Sequence, residues 1–287
     1  MNMNNFPKKP VFLLLLLLLF ALAGCLPQQM EVKEQLKLAG STTVEPAARA
    51  AAQRFMARYP DVEVSVRGGG STIGVKGVAY GALHIGMTSR PFTPAELEKW
   101  PNLTATVIGR DGVSVVVNKG VYEAGVTQLT LEQVAAIWRG EITNWKEVGG
   151  PDLPIVAFDK EMHRGTRDVF ARAVLGDEEA PAPGTAGALG ENEAVITAVS
   201  QTPGAVSIVS SGWQTGDVVG LAIVNAAGIA VEPTTENIAN GRYPILRDLN
   251  LVTNGPPQGW AARFIEFMRS EDGQTFVQEA GYVPVAE

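Results

Sequence analysis

Short apolar runs alternate with helical patterns along most of the chain. Apolar residues at helical spacing predict helices over 45–59, 71–80, 131–138, 166–175, 193–199, 258–268 and 272–280. Continuous or alternating apolar runs predict strands over 36–39, 62–66, 84–88, 113–118, 155–158, 205–209 and 251–253. The stretch 176–191, rich in Ala, Pro and Gly, predicts a surface loop. Strands that alternate with helices predict an α/β fold with mostly parallel sheets.

The organisation of these elements favours crossing strands over a linker. No long low-complexity segment divides the chain, so two domains would have to be joined by strands that pass between them. The run 113–117 is the best candidate for one crossing, and the region 220–252 is the best candidate for the return. No repeat period recurs, which argues against a repeat architecture.

The N-terminus has the pattern of a secretory signal. Lys8 and Lys9 precede an unbroken apolar run over 11–23, whereas crossing a bilayer takes about 20 apolar residues. We therefore expect a signal peptide over 1–24. The run ends in Leu-Ala-Gly-Cys, which resembles the lipobox of bacterial lipoproteins, so Cys25 is predicted to carry a lipid; the alternative is a signal peptide followed by an incidental cysteine. Residues 25–35 would form the lipid anchor and a polar tether.

Composition excludes several classes of protein. The 287 residues contain 23 Lys and Arg against 30 Asp and Glu, a formal net charge of −7, which argues against a general nucleic-acid binder. The single Cys excludes an internal disulfide framework and a multi-cysteine zinc site. Apolar residues make up 46% of the chain, which favours a folded core over disorder.

Three turns rich in hydroxyl groups and glycine stand directly before predicted helices. Free backbone N–H groups at a helix start, together with side-chain hydroxyls, suit an oxyanion. Each turn alone could equally be a helix cap. A nucleotide-binding P-loop is not indicated, because its glycine-lysine pattern does not occur. The three turns are Gly40-Ser41-Thr42-Thr43, Gly68-Gly69-Gly70-Ser71-Thr72 and Arg164-Gly165-Thr166.

These segments carry a family resemblance. The runs G-S-T-T-V-E-P (40–46), G-G-G-S-T-I-G (68–74) and I-G-M-T-S-R-P (85–91) resemble the phosphate-binding proteins of Pst-type ABC transporters. The stretch 129–155 and the segments Y-P-I-L-R-D-L (243–249) and G-Q-T-F-V-Q-E-A-G-Y-V-P-V (273–285) are similar too. The resemblance implies a two-lobed periplasmic-binding-protein fold of type II, with each lobe a mixed, mostly parallel sheet flanked by helices. Lobe 1 would comprise 36–112 and 225–287, and lobe 2 would comprise 113–224.

The resemblance also implies a set of ligand-binding positions. Three of them depart from the family's usual residues: Lys160 stands for Arg, Arg164 for Ser, and His84 for an acidic residue that filters phosphate from sulfate by accepting its proton. Arg90 and Arg167 are interpreted as scaffold or cleft-rim charges. The positions implied to bind ligand are Ser41, Thr42, Thr43, Ser71, Thr72, His84, Lys160, Arg164, Gly165 and Thr166.

These residues leave three functions open. The first is an extracytoplasmic, membrane-anchored receptor, a monomer, that captures inorganic phosphate between its lobes and delivers it to an ABC permease; His84 and Arg164 motivate another tetrahedral oxyanion, sulfate-like, as its variant. The second is an extracellular phosphatase, for which no catalytic motif or named base is present. The third is an anion sensor on the same fold. No cofactor, metal or nucleic acid is expected for the receptor.

Overall fold

The structure, a computed structural model, describes residues 33–285. The predicted signal peptide, the lipidation at Cys25 and most of the predicted tether lie outside these residues. The strands are β1 (Glu34–Gly40), β2 (Val62–Arg67), β3 (Ile85–Thr88), β4 (Leu103–Asn118), β5 (Gln128–Thr130), β6 (Val156–Lys160), β7 (Thr185–Leu189), β8 (Ala205–Ser210), β9 (Val218–Gly220), β10 (Ala222–Val224), β11 (Ala230–Val231), β12 (Leu246–Asn254) and β13 (Val283–Pro284).

The helices follow the predicted α/β alternation, which is confirmed. They are α1 (Glu45–Arg58), α2 (Ser71–Ala79), α3 (Pro94–Lys99), α4 (Lys119–Glu123), α5 (Leu131–Arg139), α6 (Gly165–Phe170), α7 (Asn192–Gln201), α8 (Thr235–Ala239), α9 (Gly259–Arg269) and α10 (Glu271–Glu279). A π-helical turn at Ala171–Leu175 follows α6, and short 3₁₀ turns occur at Trp145–Val148 and Ser211–Trp213. None of the helices within 33–285 is long and apolar enough to cross a membrane.

The helix ends follow local sequence signals. In α5, Thr130 accepts from the backbone of Gln133, and the Gln133 side chain accepts from Thr130 in return, which is a capping box. The same helix ends at Gly140, whose φ of 77° is the left-handed conformation that glycine adopts without strain. In α1, Pro46 stands in the first turn, where its missing N–H costs nothing.

Strand β4 runs through both halves of the main sheet. Over Leu103–Gly112 it pairs antiparallel with β12, and over Val113–Val117 it pairs antiparallel with β8. On one side, β2, β1 and β3 are parallel neighbours; on the other, β8, β6 and β7 are parallel neighbours. The strand order is β2-β1-β3-β12-β4-β8-β6-β7. β4 therefore makes the crossing that the sequence predicted at 113–117.

Two large apolar cores flank this crossing. The first packs α1, α9 and α10 against β1, β2 and β3, and Phe55 lies at its centre with Phe264. The second packs α5 and the end of α6 against β4 and β8, and Trp138 and Trp145 are fully buried in it. Trp260 packs beside the first core. These three tryptophans thus serve packing.

The segment between β10 and β12 packs with the second core. Val231, Ile238, Tyr243 and Ile245 are buried there, and the Tyr243 hydroxyl donates to the Val113 carbonyl at 3.1 Å. The predicted division assigned 225–287 to lobe 1. In the structure the chain returns to the first core only at β12, because the apolar residues of this segment fill space beside α5 and β4.

Several other elements differ from the sequence-based expectation, β4 and β7 among them. β4 begins ten residues before the predicted strand, because the interruption Gly109–Gly112 hides its alternation. β7 lies inside the predicted loop 176–191; its residues Thr185–Leu189 are mostly exposed at the sheet edge and have no apolar pattern to reveal them.

Candidate functional site

The first hydroxyl turn follows the carboxyl end of β1. Gly40 has a φ of 140°, and an added Cβ there would come closer than 3.0 Å to the Met87 carbonyl oxygen, so glycine is required. The Ser41 hydroxyl accepts from the Thr43 N–H at 3.2 Å and donates to the Ser89 hydroxyl at 2.9 Å. Ser41 therefore both stabilises its own turn and joins a hydroxyl cluster.

The second turn brings Ser71 into the same cluster. Ser71 is fully buried at the start of α2, and its hydroxyl accepts from the Ser89 N–H at 3.1 Å. The neighbouring Thr72 has a different role: its hydroxyl donates to the His163 carbonyl at 2.9 Å and accepts from Arg90 at 3.1 Å. Thr72 thus ties the second turn to the third.

The third turn approaches the other two from the second half of the fold. A Cβ on Gly165 would lie closer than 3.0 Å to both the Ser71 and Ser89 hydroxyl oxygens, so only glycine permits this approach. Thr166, at the start of α6, accepts from Arg247 Nη1 at 2.9 Å. All three turns thus meet at one place, as their shared chemistry suggested.

A small pocket lies where the turns meet. Eight of the ten sequence-predicted ligand positions line it; Thr72 and His84 do not. Within residues 33–285, no carboxylate or imidazole side chain contributes to its walls. Its chemistry is therefore that of hydroxyls, backbone amides and two cations, which suits an anion. The lining residues are Ser41, Thr42, Thr43, Gly70, Ser71, Ser89, Lys160, Arg164, Gly165, Thr166 and Gly190.

Lys160 is the last residue of β6 and is only 2% exposed. Its ammonium donates to the Gly190 carbonyl at 3.0 Å and to Asn192 Oδ1 at 2.8 Å. Burial, together with the nearby guanidinium groups of Arg164 and Arg247, lowers the pKa of Lys160 to about 7. The side chain therefore points into the site and not into solvent.

Arg164 extends from the third turn to the second. Its guanidinium pairs with Glu161 at 2.8 Å and Glu191 at 2.9 Å. A Cβ on Gly70 would lie 3.0 Å from Arg164 Cδ, so the arginine stem packs against the glycine run of the second turn. Arg164 is thus a pocket residue whose charge is already partly neutralised.

His84 is a correction to the sequence-based site. It is exposed and precedes β3, and its Nδ1 accepts from the Lys37 N–H at 2.9 Å. The site lies at the opposite, carboxyl end of β3, where Ser89 stands. The four residues of β3 lie between His84 and Ser89, which places the two about 17 Å apart at 3.3 Å per residue. His84 is a surface residue at the amino-terminal end of β3, and it does not line this pocket.

Arg247 and Asp111 are functional candidates that the sequence reasoning missed. Arg247, on β12, donates to the hydroxyls of Thr43 at 3.0 Å, Thr166 at 2.9 Å and Ser89 at 3.3 Å. Asp111, on β4, accepts from its Nε at 2.8 Å. The segments 85–91 and 243–249, which contain Ser89 and Arg247, both carry the family resemblance. No local sequence pattern shows that these two residues meet in the fold.

Arg90 and Arg167 act in the scaffold, as the sequence indicated. Arg90 makes two hydrogen bonds to Glu96, at 2.7 and 2.8 Å, and its Nε lies 2.8 Å from Asp168 Oδ2. Burial raises the pKa of Asp168, and the charge of Arg90 opposes this. Arg167 pairs with Asp159 at 2.7 Å. The Arg90–Asp168 pair links β3 to α6 and so spans the two halves beside the pocket.

Comparison with known proteins gives this architecture a family. The profile of the PBP superfamily domain matches residues 27–272. The chain is 32% identical over 256 residues to the phosphate-binding protein PstS of Bacillus subtilis, which covers 88% of this chain and 81% of that protein. It is 29% identical over 285 residues to the phosphate-binding protein PstS of Borreliella burgdorferi, with 97% and 99% covered.

Solved structures give the same result. A Clostridium perfringens protein with bound phosphate has a TM-score of 0.80 at 30% identity, covering 88% of this chain and all of that one. An ABC-type phosphate transport receptor from Vibrio cholerae has a TM-score of 0.72 at 30% identity, with 87% of this chain covered. The chain therefore belongs to the PBP superfamily, with its two-lobed α/β fold. Within that superfamily it is a member of the Pst-type phosphate-binding proteins, which confirms the predicted family.

Proposed function

We propose that this protein is an extracytoplasmic receptor that captures inorganic phosphate in the pocket between its lobes and delivers it to an ABC permease. The observation that carries the proposal is the convergence of three hydroxyl turns and two cations on one small pocket. The chemistry of that pocket matches an oxyanion, and the relatives from Bacillus subtilis and Clostridium perfringens are named for phosphate.

The hydroxyls would act as hydrogen-bond donors to the anion. A hydroxyl has one proton to donate and two lone pairs to accept with. Thr43, Ser89 and Thr166 each accept from Arg247, so their own protons remain available for a ligand. Arg247 thus orients donors from both halves of the fold toward the same point.

The affinity needed is within reach of this donor set. A micromolar Kd corresponds to about −8 kcal/mol, and a hydrogen bond to a charged group contributes about 1.5–3 kcal/mol. Four to six such bonds are therefore enough, and the two cations Lys160 and Arg164 add attraction. The acidic net charge of the whole chain would slow encounter with an anion and would not prevent binding.

Contacts across the cleft would hold the closed form. Thr72 donates to the His163 carbonyl, and Arg90 pairs with Asp168. Both contacts join residues of the first half to the third turn or to α6. We infer that phosphate binding favours this closed arrangement and that the permease responds to it.

The lipid anchor remains part of the proposal. We propose that Cys25 is lipidated and becomes the first residue of the mature chain, and that the monomeric receptor stays at the outer face of a membrane. A Cys25→Ser variant should then take up no radioactive fatty acid in growing cells, whereas the wild type should be labelled. Absence of the label from the wild type, or equal labelling of the Cys25→Ser variant, would contradict the anchor.

A sulfate-like ligand and a catalytic role are not favoured. The sulfate-like variant rested on His84 and Arg164, and His84 lies outside the pocket. The relatives from Bacillus subtilis and Vibrio cholerae are named for phosphate binding and transport, which favours binding over catalysis. A sensor role would use the same pocket and differ only in the partner.

Equilibrium dialysis tests the proposal. The purified protein, freed of ligand by unfolding and refolding, is dialysed against labelled phosphate and, separately, labelled sulfate. Micromolar or tighter phosphate binding with sulfate at least a hundredfold weaker supports the receptor. Equal retention of both anions, or of neither, would contradict it.

A further inference from the structure

The two hydrogen-bond acceptors of the Lys160 ammonium are uncharged. Its Nζ donates to the Gly190 carbonyl and to the amide oxygen of Asn192, which is itself fully buried. An ammonium has three protons. Two are thus taken by neutral acceptors, and one remains for whatever the pocket holds.

Lys160 differs in this from the other buried cations. Arg90 pairs with Glu96, Arg167 with Asp159 at 2.7 Å, and Arg247 with Asp111 at 2.6 Å. Among the four buried Lys and Arg side chains of residues 33–285, Lys160 alone has no carboxylate within ion-pairing distance. A buried charge without a partner is costly, and the usual response is loss of the proton.

The charged groups that face Lys160 act on its pKa in opposite directions. Arg164, on the third turn, and Arg247, on β12, oppose its protonation. Glu191 and Glu193, at the start of α7, favour it more weakly. Asp159, the preceding residue on β6, is already paired with Arg167. Burial has the largest effect, and together with these charges it lowers the pKa of Lys160 to about 7.

We propose that Lys160 couples phosphate capture to proton uptake, because the anion supplies the counter-charge that this buried ammonium lacks in the empty pocket. The inference rests on the proposed function. In the empty protein the amine gives up its proton to solvent as the pH rises; when the anion enters, Nζ takes a proton from solvent and donates it as a hydrogen bond. No bond is broken other than that to the proton.

An arginine in the same place would behave differently. A guanidinium keeps its charge at all physiological pH values, so a site built on arginine captures the anion without taking up a proton. Lys160→Arg is therefore the matched control for the charge. Phosphate's own ionisation contributes equally to both proteins and cancels when they are compared.

Proton linkage gives the expected size of the proton uptake and of the change in affinity with pH. With a pKa near 7 in the empty pocket, wild type should take up about 0.5 proton per phosphate at pH 7 and about 0.9 at pH 8, beyond the uptake of Lys160→Arg. The empty-state pKa lies below that of the loaded state, so binding weakens as the pH rises through 7. Relative to Lys160→Arg, the wild-type affinity should fall about 50-fold between pH 7 and pH 9.

Calorimetric titration with inorganic phosphate measures this directly. Each protein is titrated at pH 6, 7, 8 and 9 in two buffers of different ionisation heat, which yields protons taken up per phosphate. The stated excess of wild type over Lys160→Arg supports the inference. Equal uptake by the two proteins would overturn it. Failure of wild type to bind phosphate at pH 6, where Lys160 is charged, would overturn the proposed function as well.

A second measurement tests the inference if the arginine of Lys160→Arg does not fit in the pocket. In protein with ¹⁵N-labelled lysine, the Nζ signal of Lys160 is identified by its loss in Lys160→Met. We expect it to titrate near pH 7 in the empty protein and to remain that of an ammonium up to pH 9 with phosphate bound. An ammonium signal across this whole range in the empty protein would overturn the inference.

Discussion

Arg247 and Asp111 form a fully buried ion pair directly behind the pocket, with 2.6 Å between Nη2 and Oδ2. The pair ties β12 to β4 at the point where β4 passes from the first half of the fold to the second. Ser211 adds a hydroxyl hydrogen bond to Asp111 at 2.7 Å. Because Arg247 also donates to three pocket hydroxyls, this one pair positions donors from both lobes.

Removal of the negative partner should destabilise the protein strongly. Asp111→Asn leaves Arg247 buried without its counter-charge, and breaking a buried pair in this way costs about 3–5 kcal/mol. Urea unfolding followed by circular dichroism measures the change. The control is Asp248→Asn in the exposed pair with Arg110, at 3.4 Å, for which little or no change is expected. Equal loss in both variants would contradict the role given to the buried pair.

The close approach at Gly165 should be intolerant of even one methyl group. Gly165→Ala sets a Cβ against the Ser71 and Ser89 hydroxyls, so the third turn must move away from the other two. We expect phosphate affinity to fall at least tenfold, about 1.4 kcal/mol, by calorimetry. Gly187→Ala, where an added Cβ meets nothing within 4 Å, is the control and should keep wild-type affinity. Unchanged binding by Gly165→Ala would show that the turns need not meet.

The position of His84 separates the sequence-based site from the structural one. His84→Ala should bind phosphate with wild-type affinity and the same preference over sulfate, because the side chain is exposed at the far end of β3. Ser89→Ala should weaken binding at least tenfold, since Ser89 lines the pocket. Competition between labelled phosphate and unlabelled sulfate measures both quantities. A change of selectivity in His84→Ala would restore the ligand-reading role that the sequence predicted for this residue.

The ion pair between Arg90 and Asp168 should slow the release of ligand. Asp168→Asn removes the charge that holds β3 to α6 beside the pocket. We expect phosphate dissociation to become about tenfold faster with a smaller change in association, because contacts of the closed form act mainly on release. Stopped-flow displacement with excess unlabelled phosphate gives the rate. Asp152→Asn, in the exposed pair with Lys146, is the control and should leave the rate unchanged.

The sequence revealed the three turns because each carries its signal locally. Glycine and hydroxyl residues stand together before a helix at Ser41, Ser71 and Gly165, and parallel strands end at the same edge of a sheet. The α/β alternation and the crossing at 113–117 were readable for the same reason.

The features of the site that could not be predicted from the sequence depend on contacts between residues far apart in the chain. Arg247 and Asp111 are 136 residues apart, and neither stands in a turn or beside a glycine run. His84 lies outside the pocket although it directly precedes the segment 85–91, because β3 separates it from Ser89 at the other end of the strand. Thr72 adjoins Ser71, but one position along a helix turns its hydroxyl toward His163 and away from the pocket.

A crystal structure of the protein grown with phosphate is the most direct test of phosphate binding where the three turns meet. We expect one phosphate among Ser41, Ser71, Ser89 and Thr166, with Lys160 Nζ within hydrogen-bond distance of a phosphate oxygen. Phosphate bound elsewhere, or a pocket that stays empty at saturating phosphate, would contradict it.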